Sequence, residues 1–251
     1  FGQGFVGKLA FPSANVSDRL EKTFTSVNFN MMIMIIYALI TIAIFGMWYY
    51  ARYEGNFLPS PKKTFNPTML AAIVILVPGT QFAANFIANL TGYIRPDWLQ
   101  QYNELFETSG ITDTTFVTVL YSVILAPICE ELIFRGVTMR CARKALPFAL
   151  ANLMQAALFG LFHLNWIQGI YAFALGIVLG YVCERGGSIY YSMGLHLLFN
   201  LWGTLSGFFP DPGNSVVVFV VVIVVTIVSL VAGFVLFNKG RRKLPINSTG
   251  I

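Results

Sequence analysis

The sequence predicts an all-α fold, a polytopic bundle of about seven transmembrane helices. Three observations lead there. Of the 251 residues 56% are hydrophobic and only 11% charged, where a soluble domain carries roughly a quarter charged residues. The apolar residues come in runs long enough to cross a bilayer, which takes about 20 of them in a helix. These runs are continuous and rich in Leu, Ile, Val and Ala, unlike the alternating segments of a membrane β-barrel.

Residues 1–30 are weakly patterned, although Asp18 with Glu21 three places later reads as a capping box for a short interfacial helix. The opening Phe1 leads us to expect a start segment upstream. The first span, 31–50, reads MMIMIIYALITIAIFGMWYY. It is too long for a signal-peptide core and ends in aromatic residues that favour a membrane interface. Residues 54–67 form a Pro-rich, turn-forming loop. Further spans follow at 68–92, 114–134, 147–164, 167–184, 188–208 and 215–237. The segment 93–113 reads as an acidic loop, with Arg95 against Asp97, Glu104, Glu107 and Asp113. The last span has no ionisable residue and reads as a lipid-facing anchor. Three units result: an N-terminal segment with the first two spans (1–113), a candidate catalytic core (114–208), and the last helix with a basic tail (209–251).

The net charge of +5 is distributed in a way that excludes a nucleic-acid partner as its explanation. Arg52, Lys62 and Lys63 share one loop, Arg140, Arg143 and Lys144 another, and Lys239, Arg241, Arg242 and Lys243 the tail. Basic residues gather on cytoplasmic loops, and a basic tail beside a membrane is ordinary. The expected arrangement is an integral, multi-pass protein with its C-terminus in the cytoplasm. Cys129, Cys141 and Cys183 are an odd, scattered set with no disulfide framework.

Chemistry concentrates in the stretch ILAPICEELIFRGV, 124–137. Of eleven acidic residues only Glu130 and Glu131 lie well inside an apolar segment, where a charge costs about 2.5–3.5 kcal/mol on insertion scales. Glu131 and Arg135 lie one helical turn apart on one face, so they can pair. Glu130 is turned about 140° from Arg135 and has no local partner. It is expected to face another helix, and a carboxylate in low-dielectric surroundings suits general acid–base work. The two histidines, His163 and His196, also sit in apolar helices, and His196 shares a face with Asn200. A wet pocket between three helices would satisfy all of these groups at once. The plainer alternative is that they are polar packing residues or lie at the water interface. By the expected span boundaries the two histidines differ in depth by roughly 12 Å.

The motifs Glu130-Glu131-x-x-x-Arg135, Phe159-x-x-x-His163 and His196-x-x-x-Asn200, in that order, resemble the signature of the CAAX protease and bacteriocin-processing (CPBP, or Abi) family. Type II CAAX prenyl proteases are its eukaryotic branch. The stretch IYAFALGIVLGYVCERGGSIYYSMGLHLLFN is similar to the family's usual wording, and the resemblance covers roughly 115–205. It implies an intramembrane glutamate endopeptidase, a hydrolase with a conical or cavity-containing core and no cofactor. Carried over by motif position, Glu130 would activate a water with help from His163. His196 and Asn200 would polarise the scissile carbonyl, and Glu131 and Arg135 would hold the helix and its charge in place. The implied partners are a membrane-associated peptide or protein substrate, the lipid bilayer, and a membrane protein partner in the family's regulatory members. The membrane would be the plasma membrane in a prokaryote and the endoplasmic reticulum in a eukaryote. The eukaryotic relatives have eight spans, against seven here.

Several rivals stand beside this reading. Zinc held by Glu130, His163 and His196 is a minority alternative, with no HExxH on one helix to support it. Cys129 as a nucleophile is disfavoured by its apolar helix. A non-catalytic Abi-type scaffold, regulatory partner or bacteriocin self-immunity protein is the alternative from another class. A proton-coupled transporter would also use intramembrane acids and histidines, but no internal repeat is present.

Overall fold

The computed structural model describes residues 18, 27–51, 66–109, 115–206 and 215–241. Every regular element among them is helical. In chain order they are α1 (Val27–Tyr49), α2 (Pro67–Ile94), α3 (Pro96–Ser109), α4 (Phe116–Ala142), α5 (Phe148–Phe162), α6 (Trp166–Gly186), α7 (Ile189–Ser206) and α8 (Val216–Arg241). Helices α1, α2, α4, α6 and α8 are long and apolar enough to cross a membrane. The chain is an integral membrane protein, and the all-α expectation holds.

Among the described residues, these five helices stand against the seven spans expected. Helix α5 has 15 residues, about 22 Å of rise against a hydrocarbon core near 30 Å. It begins after Pro147 and ends where Leu164 takes a left-handed backbone, with φ 53°. Helix α7 lies in its expected place with 18 residues. Two boundaries need correction. The supposed acidic loop at 93–113 contains α3, which starts at Pro96 and carries Asp97 in its first turn, both favourable at a helix N-terminus. Helix α4 runs on to Ala142, well past its expected end at 134, because its charges are satisfied within the fold. Arg135 pairs with Glu131, and Arg140 donates to the Tyr49 hydroxyl at 2.9 Å. The capping box read at Asp18 and Glu21 falls, apart from Asp18 itself, outside the described residues, as does most of the 54–67 loop.

Helices α2, α6, α7 and α8 share one core, in which Leu76, Leu179, Leu195 and Phe237 are fully buried. Helices α2 and α8 touch along their length, at Leu76 against Gly233 and Met69 against Gly240, and one of the contacts lies beside Pro78. A proline inside a helix removes a ladder hydrogen bond and pushes away the preceding turn. In a membrane the freed groups must find partners within the protein. Ser229 of α8 supplies them: its hydroxyl accepts from Gly79 N–H at 2.8 Å and donates to the carbonyl of Ile75.

Helices α5 and α6 form a close hairpin that sets the position of His163. Their backbones touch at Gly160 and Gly169, where a Cβ on Gly160 would lie 2.5 Å from the Gly169 carbonyl oxygen. Small residues of this kind let membrane helices approach. Buried amides fasten the rest: Asn152 donates to the Ile177 carbonyl at 3.0 Å and Gln155 to that of Gly176 at 2.9 Å. Asn165 caps α6 by accepting from Gln168 N–H at 3.1 Å.

Candidate active site

Helix α4 is not a plain α-helix. Two π-helical segments, Leu120–Leu125 and Leu132–Met139, flank the α-helical turn Ala126–Glu131 that carries both glutamates. The first has a cause in the sequence. Ala126 N–H bonds to the Tyr121 carbonyl, a five-residue step. In that register residue 127 would serve the carbonyl of Ser122, but Pro127 has no N–H. Asn200 of α7 takes its place, donating from Nδ2 to the Ser122 oxygen at 2.8 Å. The side chain thus repairs the ladder and ties α7 to α4.

One turn further on lies a buried charge cluster. Glu131 and Arg135 are both 0% exposed, with Arg135 Nη1 2.8 Å from Glu131 Oε1, as the helical spacing led one to expect. The same oxygen accepts from His196 Nδ1 at 2.9 Å. The Arg135 guanidinium also lies 4.5 Å from the Phe159 ring centroid, a favourable cation–π distance. Glu130, 15% exposed, turns away from Arg135 towards α7, where its Oε2 is 3.5 Å from His196 Nε2. His196 is therefore held between the two carboxylates.

His163 follows the last turn of α5. Its Nδ1 is 2.8 Å from the Phe159 carbonyl oxygen. A carbonyl only accepts, so Nδ1 carries the hydrogen and Nε2 presents a lone pair in the neutral ring. The Phe159 ring packs edge-on against both histidines, at 4.9 Å from His163 and 5.8 Å from His196. That common neighbour brings the two together despite the depth difference expected from span boundaries, because α5 is short and His163 lies just beyond its end.

Beside Glu130 is a hollow of about 30 Å³, lined by Tyr37, Ala38, Tyr121, Ala126, Cys129, Glu130 and Phe162. Its volume suffices for a water molecule. So Glu130, Glu131, Arg135 and His196 form one contact cluster. His163 joins it through Phe159, and Asn200 is engaged with Ser122. The chemical capacity is that of a carboxylate beside a water-sized space, with a histidine on one flank and an ion pair behind. Among the described residues no three His, Cys, Asp or Glu side chains are grouped as a metal ion would need.

Sequence reasoning missed Tyr37 and Ala38, which sit on an apolar helix outside the motifs, and Tyr121, whose approach depends on the π segment. Pro127 was the available signal for the latter.

Residues 112–202 match the family model described as type II CAAX prenyl endopeptidase Rce1-like. No curated protein and no solved structure matches the chain. The matched segment contains all six candidate residues and the hollow's α4 wall, so the stretch that builds the site is the stretch that is similar to the Rce1-like family of type II CAAX prenyl endopeptidases.

Proposed function

We propose that the protein is an intramembrane endopeptidase that cleaves membrane-associated peptides by a glutamate-activated water, with no metal. The observation that carries this is Glu130 lining a water-sized hollow while its neighbour Glu131 is consumed by Arg135. Glu130 takes a proton from the water as its oxygen attacks the scissile carbonyl carbon. It then returns that proton to the departing amine, completing general base and general acid roles. His196, anchored through Nδ1 on Glu131, faces Glu130 with Nε2 and fixes the carboxylate's position and charge. His163, oriented by its Nδ1 on the Phe159 carbonyl, assists the water. Asn200 spends one amide hydrogen on Ser122 and has a second for the carbonyl oxygen. The matched family name directs the choice of substrate to prenylated C-terminal peptides, and the basic tail supports a cytoplasmic C-terminus.

The test is product mapping. The full chain in lipid vesicles, given a farnesylated peptide ending in a CAAX sequence, releases the last three residues as a tripeptide, detected by mass spectrometry. Cleavage of the unprenylated peptide at equal rate refutes the substrate class. No cleavage of either peptide under these conditions counts against the endopeptidase itself.

A further inference from the structure

The catalytic reading leaves one requirement short. An acyl-transfer site needs hydrogen-bond donors aimed at the oxygen that becomes negative, each worth about 10²–10³ in rate where measured. In this structure both His196 nitrogens face carboxylates, and Asn200 has given one of its two amide hydrogens to Ser122. Donor capacity beside Glu130 is thin.

Tyr121 supplies it. The residue lines the same hollow as Glu130 and is half-buried. Among the described residues its hydroxyl has no hydrogen-bond partner. A buried or half-buried phenol ordinarily finds one, so a group left open beside a reactive carboxylate points to something that binds there.

Its placement is built, not incidental. Nine residues of uninterrupted α-helix would turn Tyr121 about 180° from Glu130. A π turn holds roughly one more residue, which brings the phase back by about 100° and carries Tyr121 towards the glutamate's side. That π segment exists over Leu120–Leu125 and is closed by Asn200 on Ser122, the residue next to Tyr121. Asn200 therefore positions Tyr121 as well as any substrate it meets.

We propose, building on the endopeptidase reading, that Tyr121 is a further catalytic residue whose hydroxyl donates a hydrogen bond to the substrate's scissile carbonyl oxygen. The bond balance is that of hydrolysis. The water oxygen bonds to carbon while its proton passes to Glu130, and the C=O π pair moves onto oxygen. The Tyr121 O–H holds that oxyanion without giving up its proton. As the carbonyl re-forms, the C–N bond breaks and the amine leaves with the proton from Glu130.

The experiment uses the purified full chain and an internally quenched farnesylated CAAX peptide. Tyr121→Phe lowers kcat at least tenfold, leaves KM within about twofold and leaves the thermal midpoint unchanged. Fluorotyrosines of increasing acidity placed at position 121 raise kcat progressively, as a stronger donor should and a packing residue would not. A Tyr121→Phe enzyme with wild-type kcat, beside an inactive Glu130→Gln, overturns the Tyr121 assignment and leaves the glutamate reading intact. Insensitivity to phenol acidity overturns it equally. Full activity in Glu130→Gln removes the endopeptidase mechanism itself, and this inference with it.

Discussion

Replacing Arg135 by Met removes a guanidinium that is 0% exposed and takes the ion pair from the 0%-exposed Glu131 carboxylate, which keeps the His196 Nδ1 hydrogen bond. The change also discards the Phe159 contact at 4.5 Å and a donor to the Gly176 carbonyl at 3.4 Å. Breaking a buried ion pair from one side typically costs about 3–5 kcal/mol, because the remaining charge is stranded. At roughly 2–4 °C per kcal/mol for a chain of this size, the thermal midpoint falls by about 10 °C. The double variant Glu131→Gln with Arg135→Met removes both charges, and the amide oxygen introduced at position 131 still accepts from His196. Replacing both partners is far less costly than removing one, so the double variant recovers more than half of the loss. Thermal unfolding in one detergent, followed by tryptophan fluorescence, measures all three proteins. A double variant no more stable than Arg135→Met, or an Arg135→Met protein within about 1 kcal/mol of wild type, refutes the stranded-charge argument.

Other consequences test separate parts of the fold. Ser229→Ala leaves Gly79 N–H and the Ile75 carbonyl without their bridge at the Pro78 break, and about 2 kcal/mol of stability goes with them. Thr226→Ala on the same helix removes only a bond to the Val222 carbonyl one turn back and leaves the thermal midpoint nearly unchanged. Gly160→Ala drives a Cβ into the Gly169 backbone oxygen, costs about 1–3 kcal/mol by overpacking, and lowers peptide cleavage by displacing the loop that holds His163. Asn200→Asp puts a carboxylate oxygen against the Ser122 carbonyl in place of a donor; activity falls at least tenfold, and the loss is not additive with Tyr121→Phe, since one residue positions the other. A thiol probe labels Cys141, which is exposed, in the folded protein and spares the buried Cys129 and Cys183 until unfolding.

Much of the candidate site was legible because membrane charges are expensive. Two glutamates and one arginine in an apolar run had to be paired or used, and helical spacing alone assigned Arg135 to Glu131. The same spacing showed that Glu130 must look outward to another helix. It could not name His196 as the group it faces, since that depends on how α4 and α7 pack. The π segments were hidden because apolar periodicity does not distinguish a π turn from an α turn over six residues; hence Tyr121 was overlooked. Tyr37 and Ala38 were missed for a different reason. Helix α1 is apolar all round, so its sequence does not reveal which face meets the hollow. Helix α3 was read as a loop because its polar face dominates its composition, and α5 was read as a full span because its apolar run, 147–164, is longer than the helix, which covers only Phe148–Phe162.

The central claim is that Glu130 activates the water and that no metal does. The most direct measurement is the cleavage rate of the farnesylated peptide by the wild-type chain and by Glu130→Gln, each with and without a zinc-binding chelator. The account predicts a wild-type rate untouched by the chelator and a Glu130→Gln rate lower by at least a thousandfold, with both proteins unfolding at the same temperature. Loss of wild-type activity on chelation, restored by added zinc, contradicts it, as does a Glu130→Gln enzyme that still turns over.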